Sequence, residues 1–149
     1  MSPTFTLADA ADAELLVGLM REFYAVEHLA FDEGAAREAL ALILNRRAYG
    51  LVYVMRVGEE VAGYVVLAFG FSLEFRGRDA LVDELYVREA FRGRGVGRAA
   101  LSMLEEVCRE EGVRALHLEV DRTNVRAQRL YRGAGYVDHD RYLLTKWLS

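Results

Sequence analysis

The run Arg92-Gly93-Arg94-Gly95-Val96-Gly97-Arg98 has the residue types and spacing to hold a phosphate. Alternating glycines carry no Cβ, so the backbone can curl and bring successive amide hydrogens to one oxyanion. The run also opens a helix, whose first-turn amides have no partner of their own and sit at the positive end of the helix dipole. Arg92, Arg94 and Arg98 add the local positive charge that a diphosphate needs. Other phosphate motifs do not fit these letters. A Walker A loop requires Lys followed by Ser or Thr where Arg98-Ala99 stands, and a dinucleotide-binding turn requires glycine in place of Arg98. On spacing alone, the same letters also describe a flexible turn with solvated arginines.

Just upstream, Asp83 and Glu84 are adjacent on an otherwise apolar strand. Strand alternation places one carboxylate on each face unless a bulge intervenes. A half-buried carboxylate has its pKa raised by desolvation and can accept a proton from an ammonium group, directly or through water. Either acid fits that role, and either could instead pair with Arg88 or Arg92. His28, His117 and His139 are scattered and read as structural or solvated, Cys108 falls on an apolar helix stripe, and no His or Cys cluster has metal-ligand spacing. No metal is expected.

The elements that must position these groups follow from periodicity. Phe5 to Leu7 reads as a short strand, Asp12 as the cap of a helix with Leu16, Leu19, Met20 and Phe23 inward, and Asp32 as the cap of a second helix. Leu51 to Val57 and Val61 to Phe71 form a hairpin around Gly58-Glu59-Glu60, and a polar stretch leads to a third strand, Ala80 to Val87. Val96 to Glu111 is a helix ended by Gly112, followed by a strand at Ala115 to Val120, a helix from Asn124 to about Ala134, and last strands within Tyr136 to Trp147. An antiparallel beginning with a later strand-helix-strand crossover makes a mixed α/β (α+β) domain.

The chain has 149 residues, the size of one domain, and no repeat or linker divides it, so a single domain over 1–149 is expected. A net charge of −4 gives no general attraction to nucleic acid or to an anionic membrane, and any anion site must be local. No run reaches the roughly 18 apolar residues of a membrane span. Met1 to Asp12 lacks a basic segment followed by an apolar one, and a cytoplasmic location is expected.

Two ordered blocks carry a resemblance to a known family. Val82-Asp83-Glu84-Leu85-Tyr86-Val87-Arg88-Glu89-Ala90-Phe91-Arg92-Gly93-Arg94-Gly95-Val96-Gly97 resembles the acetyl-coenzyme A motif of the GNAT N-acetyltransferases, an Arg or Gln followed by x-x-Gly-x-Gly/Ala after a strand ending in valine. Asn124, Ala127 and Leu130-Tyr131-Arg132-Gly133-Ala134-Gly135-Tyr136 resemble the motif that follows it. Phe71 to Phe75 and Asp83 to Val87 look closest to the Hpa-like histone and small-amine group. The resemblance implies a mostly antiparallel mixed sheet splayed at its middle and flanked by about four helices. The gap would lie between the strand ending at Val87 and the strand Ala115 to Val120.

The implied activity is direct transfer of an acetyl group from acetyl-CoA to a primary amine of a small molecule, amino acid, polyamine or peptide. The alternative is a non-catalytic acyl-CoA-binding regulatory domain. Leu85, Tyr86 and Val87 would offer backbone amides to the acetyl carbonyl and pantetheine, and Arg92 to Arg98 would hold the diphosphate. Asn124, Ala127 and Tyr131 would complete the coenzyme site, with Tyr131 as general acid and Asp83 or Glu84 as base. Phe23, Tyr24, His28, Phe71 and Glu74 would form the acceptor pocket, and Glu119 and Asp121 would attract a cationic amine. Dimerisation is common in the resembled family, and Tyr142 to Trp147 is the segment that could serve a homodimer.

Overall fold

Valine, leucine and tyrosine crowd Gly50–Ser72, and there the chain forms β2 (Gly50–Val57) and β3 (Glu60–Ser72) around a turn in which Gly58 takes φ 63°. β1 (Pro3–Leu7) pairs antiparallel with β2, and β4 (Gly77–Val87) pairs antiparallel with β3. β5 (Ala115–Leu118) runs parallel to β4, giving one mixed sheet of order β1-β2-β3-β4-β5. The helices are α1 (Ala13–Val26), α2 (Glu33–Asn45), α3 (Val96–Glu110) and α4 (Val125–Gly133). This computed structural model describes residues 1–149, which divide into two units, Met1–Glu119 and Val120–Ser149. No helix is long and apolar enough to cross a membrane.

Within the first unit, α1 and α2 pack on one face of the sheet. Leu16, Val17, Leu19 and Leu40 meet Val52, Val54, Tyr64, Val66 and Tyr86 there. The residues between these on the strands, among them Leu51, Met55, Val65, Leu67, Ala80 and Val82, point to the opposite face and are buried, as are Val96, Ala100, Leu101, Leu104 and Cys108 of α3. Both faces are therefore apolar, which explains why β2 and β3 read as nearly continuous hydrophobic runs.

Four details differ from the sequence reading. Asp12 does not cap α1: its carboxylate accepts the Asp9 amide at 3.0 Å while Asp9 accepts Ala11 N–H at 2.9 Å, a capping box around the short 3-10 turn Ala10–Asp12. Asp32 does cap α2, accepting the Ala35 amide at 3.1 Å. β4 begins at Gly77 because pairing with β3 extends through the polar residues Arg78 and Asp79. β5 stops at Leu118 instead of Val120. The strands expected within Tyr136 to Trp147 are absent: four polar residues, Asp138 to Arg141, interrupt the segment, and Tyr142-Leu143-Leu144 does not alternate.

The close approach of β3 and β4 depends on Gly63, where an added Cβ would lie 1.8 Å from the Tyr86 carbonyl oxygen. Gly63→Ala should destabilise the protein by about 3 kcal/mol in urea unfolding. Gly18→Ala, where a Cβ meets nothing within 4 Å on α1, should instead stabilise it by about 0.5–1 kcal/mol. Equal effects of the two changes would contradict this packing.

Candidate active site

The site begins at the place where β4 loses a neighbour. Arg88 N–H donates to the Ala62 carbonyl at 2.7 Å, and Tyr86 and Glu84 are matched with Tyr64 and Val66. By antiparallel alternation, the N–H and C=O groups of Glu84 and Tyr86 turn toward β3, and those of Leu85 and Val87 turn toward the other edge. β5 pairs with that edge only as far as Val82, opposite Leu118. The amides of Leu85 and Val87 therefore face an edge that β5 has already left, and the Val87 carbonyl accepts Arg92 Nε–H at 2.9 Å.

That edge leads directly into the glycine-rich turn. Gly93 and Gly95 adopt φ 72° and 78°, left-handed positions that favour glycine. Gly95 is the N-cap of α3 and no side chain caps the helix. The first backbone bond of α3 is Ala99 N–H to the Gly95 carbonyl at 3.0 Å, so the Val96, Gly97 and Arg98 amides stay outside the helix ladder. Arg94 lies over the buried Phe91 ring at 5.3 Å, and Arg92, Arg94 and Arg98 are exposed. Uncapped amides, a dipole end and three guanidinium groups make this an anion seat.

Asp83 is the extra residue of a β-bulge: Val66 faces Glu84, but the next β3 residue, Leu67, faces Val82. The bulge turns Glu84 away from the face of Val82 and onto the α1 and α2 face. There its two oxygens accept hydrogen bonds from the hydroxyls of Tyr24 and Tyr64, the latter at 2.6 Å. Burial pushes the Glu84 carboxyl up, the two hydroxyls pull it back down, and the neighbouring Asp83 charge adds a smaller upward push. Asp83 keeps solvent contact, yet the protein around it desolvates the carboxyl enough to hold it above its usual range. Desolvation first, then the bond to Glu84, holds the Tyr24 and Tyr64 hydroxyls far above the ordinary phenol range, so both remain donors.

Aromatic rings surround this carboxylate. Phe23 meets Tyr24, Tyr64 and Tyr86 at centroid distances of 5.8, 6.2 and 5.4 Å, and Phe31 meets Tyr24 at 5.4 Å. Beside them, Glu22 accepts Tyr86 Oη–H at 3.1 Å and both Nε–H and Nη2–H of Arg88, which hold its carboxyl below the usual range. Tyr64 and Glu22 are not singled out from the sequence, and Arg88, there a possible partner of Asp83 or Glu84, pairs with Glu22 instead. Tyr64 sits in an apolar run that reads as core, and its link to Glu84 requires the β3–β4 register with the bulge counted.

The structure thus gathers Phe23, Tyr24, Asp83, Glu84 and Tyr86; the other candidates have the following local surroundings. His28 is exposed at φ 56° in the turn leaving α1, with its amide bonded to the Ala25 carbonyl at 3.2 Å. Phe71, 70% exposed, and Glu74 belong to the β3–β4 hairpin end. Five β3 residues separate Phe71 from Val66, the partner of Glu84, or about 16 Å. Glu119 lies beyond the end of β5. In the second unit, Asn124 caps α4 by accepting the Ala127 amide at 3.1 Å, and Gln128 donates to the Asp121 carbonyl at 2.9 Å. The Tyr131 ring meets Tyr136 edge-on at 6.2 Å. No three metal-ligating side chains converge.

Comparison with known proteins agrees with this arrangement. The sequence profile described as the acetyltransferase (GNAT) family matches residues 16–136. Thialysine N-epsilon-acetyltransferase of Bos taurus is 33% identical over 81 residues, 54% of this chain and 47% of that protein, so the chain spans about half the length of that relative. The integron cassette protein HFX_CASS3, from the mobile metagenome of Cole Harbour Salt Marsh, is 35% identical with a TM-score of 0.86 over 97% of this chain and 90% of its own. A predicted acetyltransferase from Clostridium acetobutylicum, whose crystal structure is described with acetyl-CoA, shares the fold at a TM-score of 0.82 and 16% identity, over 97% and 96% of the two chains.

Removing one hydroxyl from Glu84 tests the site's electrostatics. The two tyrosine hydrogen bonds favour the charged carboxylate, so Tyr64→Phe should move Glu84 protonation to higher pH in a carboxyl-carbon NMR titration. An unchanged or lowered midpoint would contradict the assignment.

Proposed function

The chain belongs to the acetyltransferase (GNAT) family, and from that membership we propose that it transfers an acetyl group from acetyl-CoA directly to a primary amine of a small molecule, amino acid, polyamine or peptide. The observation that carries this reading is the continuity of β4: amides at Leu85 and Val87 that face a vacated edge lead into an uncapped, glycine-built helix start. A Cβ at Gly95 would meet nothing within 4 Å, and the anion seat there fits the diphosphate of a coenzyme. When bound, acetyl-CoA supplies an activated acetyl thioester.

The chain's own residues then have separable tasks. The α3 amides with Arg92, Arg94 and Arg98 hold phosphate, while Asn124 and Ala127, by resemblance, belong to the coenzyme site. Leu85 and Val87 N–H groups are donors suited to a carbonyl oxygen that gains negative charge. Glu84 and the rings of Phe23 and Tyr24 form an anionic, aromatic seat for an ammonium group. Asp83 takes the proton that makes the amine nucleophilic, because its carboxyl has a raised affinity for protons and an open path to solvent. Tyr131, in the family motif, is the proposed proton donor to the departing thiolate. The thiol of Cys108 is buried and pushed up to about 11, which suits it to core packing and favours one-step transfer to the amine. The Hpa-like small-amine group is the proposed branch, supported by the acidic and aromatic character of the seat.

Incubation with acetyl-CoA and a panel of primary amines should release free thiol in step with N-acetylated product. Tyr131→Phe should lower kcat at least about tenfold with little change in coenzyme binding. Coenzyme binding without thiol release on any amine would reject the transfer reading, and equal turnover in the variant would remove Tyr131 from its role.

A further inference from the structure

Three consecutive residues of α1 meet three alternate residues along β4 and its exit. Tyr24 donates to Glu84, the Phe23 ring packs on Tyr86 at 5.4 Å, and Glu22 accepts Tyr86 Oη–H at 3.1 Å together with Arg88 Nε–H at 3.0 Å and Nη2–H at 2.7 Å. The first two contacts belong to the seat around Glu84. The third has no task in the transfer described so far, yet it gathers three donors on one half-buried carboxylate.

Tyr86 and Arg88 flank Val87, and alternation turns their side chains toward α1 while the Val87 side chain points the other way. Val87 stands opposite Gly63, and the neighbouring ladder bond runs from Arg88 N–H to the Ala62 carbonyl. The backbone groups of Val87 therefore turn outward, with the amide on the edge that β5 has left and the carbonyl holding Arg92 at 2.9 Å. Since β3 does not bond that amide, its direction follows from the residues on either side. Both of them are fastened to Glu22, and Arg88 is fixed further by Nη1–H donating to the Val61 carbonyl at 3.2 Å.

Attachment of α1 to the sheet does not require this cluster. Leu16, Val17 and Leu19 are at most 1% exposed and already bury the helix against the strands. Apolar contacts carry no direction, however, and the last β3 pairing is at Val87 itself. A bidentate carboxylate–guanidinium pair supplies the missing directional hold just beyond it.

We propose that Glu22, acting through Tyr86 and Arg88, is the positioning residue that aims the Val87 N–H at the carbonyl oxygen of the transferred acetyl group. The role rests on the proposed acetyl transfer for the identity of that oxygen. It gives α1 two tasks in adjacent residues: Phe23 and Tyr24 shape the seat for the amine, and Glu22 sets the donor on the opposite edge of β4.

The test compares the full chain with Glu22→Gln, which keeps the side-chain shape and removes the charge, using the amine of the panel that is turned over fastest. The kcat should fall about tenfold while the Kd for coenzyme A, measured calorimetrically, stays within about twofold, because the diphosphate is held at α3. Arg88→Gln should behave alike, and the double variant should be no slower than the slower single one. In coenzyme-free protein, the backbone order parameter at Val87 should drop from about 0.85 toward about 0.6 in Glu22→Gln, with Gly97 unchanged. An unchanged kcat overturns the proposal, as does a fall in kcat matched by an equal loss of coenzyme affinity and of thermal stability, which is the signature of a merely structural pair. If the unmodified protein acetylates no amine, the transfer reading fails by itself. The Val87 order parameter then decides whether Glu22 holds this amide, and an unchanged value overturns that too.

Discussion

One extra residue in β4 decides where chemistry can occur. Without the bulge at Asp83, Glu84 would project beside Val82 toward the α3 face and bury its charge among Val65, Leu67 and Leu101. With it, the carboxylate meets two tyrosine hydroxyls on the α1 and α2 face. Each such charge-assisted hydrogen bond contributes about 1.5–3 kcal/mol, enough to offset much of the desolvation that a half-buried carboxylate suffers. The tyrosines in turn require the Glu84 charge, since Tyr64 is 1% exposed and its hydroxyl would otherwise be buried without that partner.

The same strand performs a second task through its backbone. Apart from the bulge at Asp83, β4 is paired with β3 from Gly77 to Val87 but loses β5 after Val82, so its last residues are held on one side and open on the other. Rigidity matters because a donor aimed at a developing charge is effective only if it is already in place. The short 3-10 turn Glu89–Phe91 then carries the chain into α3, with Phe91 buried as an anchor and Arg92 tied back to the Val87 carbonyl. Arg92, Arg94 and Arg98 thereby place three positive charges at this helix start in a chain whose net charge is −4.

The sequence was informative where chemistry depends on local spacing. The glycine-arginine run, the α2 cap at Asp32 and the Asn124 cap of α4 are contacts within a few residues, and local rules were enough to find them. The adjacency of Asp83 and Glu84 was visible, together with the condition that a bulge would change their faces, but the bulge itself arises from pairing with β3 and cannot be counted along one strand. For the same reason Tyr64, 20 positions from Glu84, passed as core. The strands expected after Tyr136 failed because apolar residues form a strand only where a neighbouring edge accepts their backbone groups. Phe71 joins the acceptor pocket by resemblance alone, and it lies five positions along β3 from Val66, the partner of Glu84.

Amide hydrogen exchange measured with and without saturating coenzyme A reads the central claim residue by residue. Slowed exchange is predicted at Leu85, Val87, Val96, Gly97 and Arg98, with no change at Glu84 and Tyr86, whose amides already bond β3. Saturated protein in which those five amides exchange as fast as before would contradict the claim that this strand edge and helix start together grip the coenzyme.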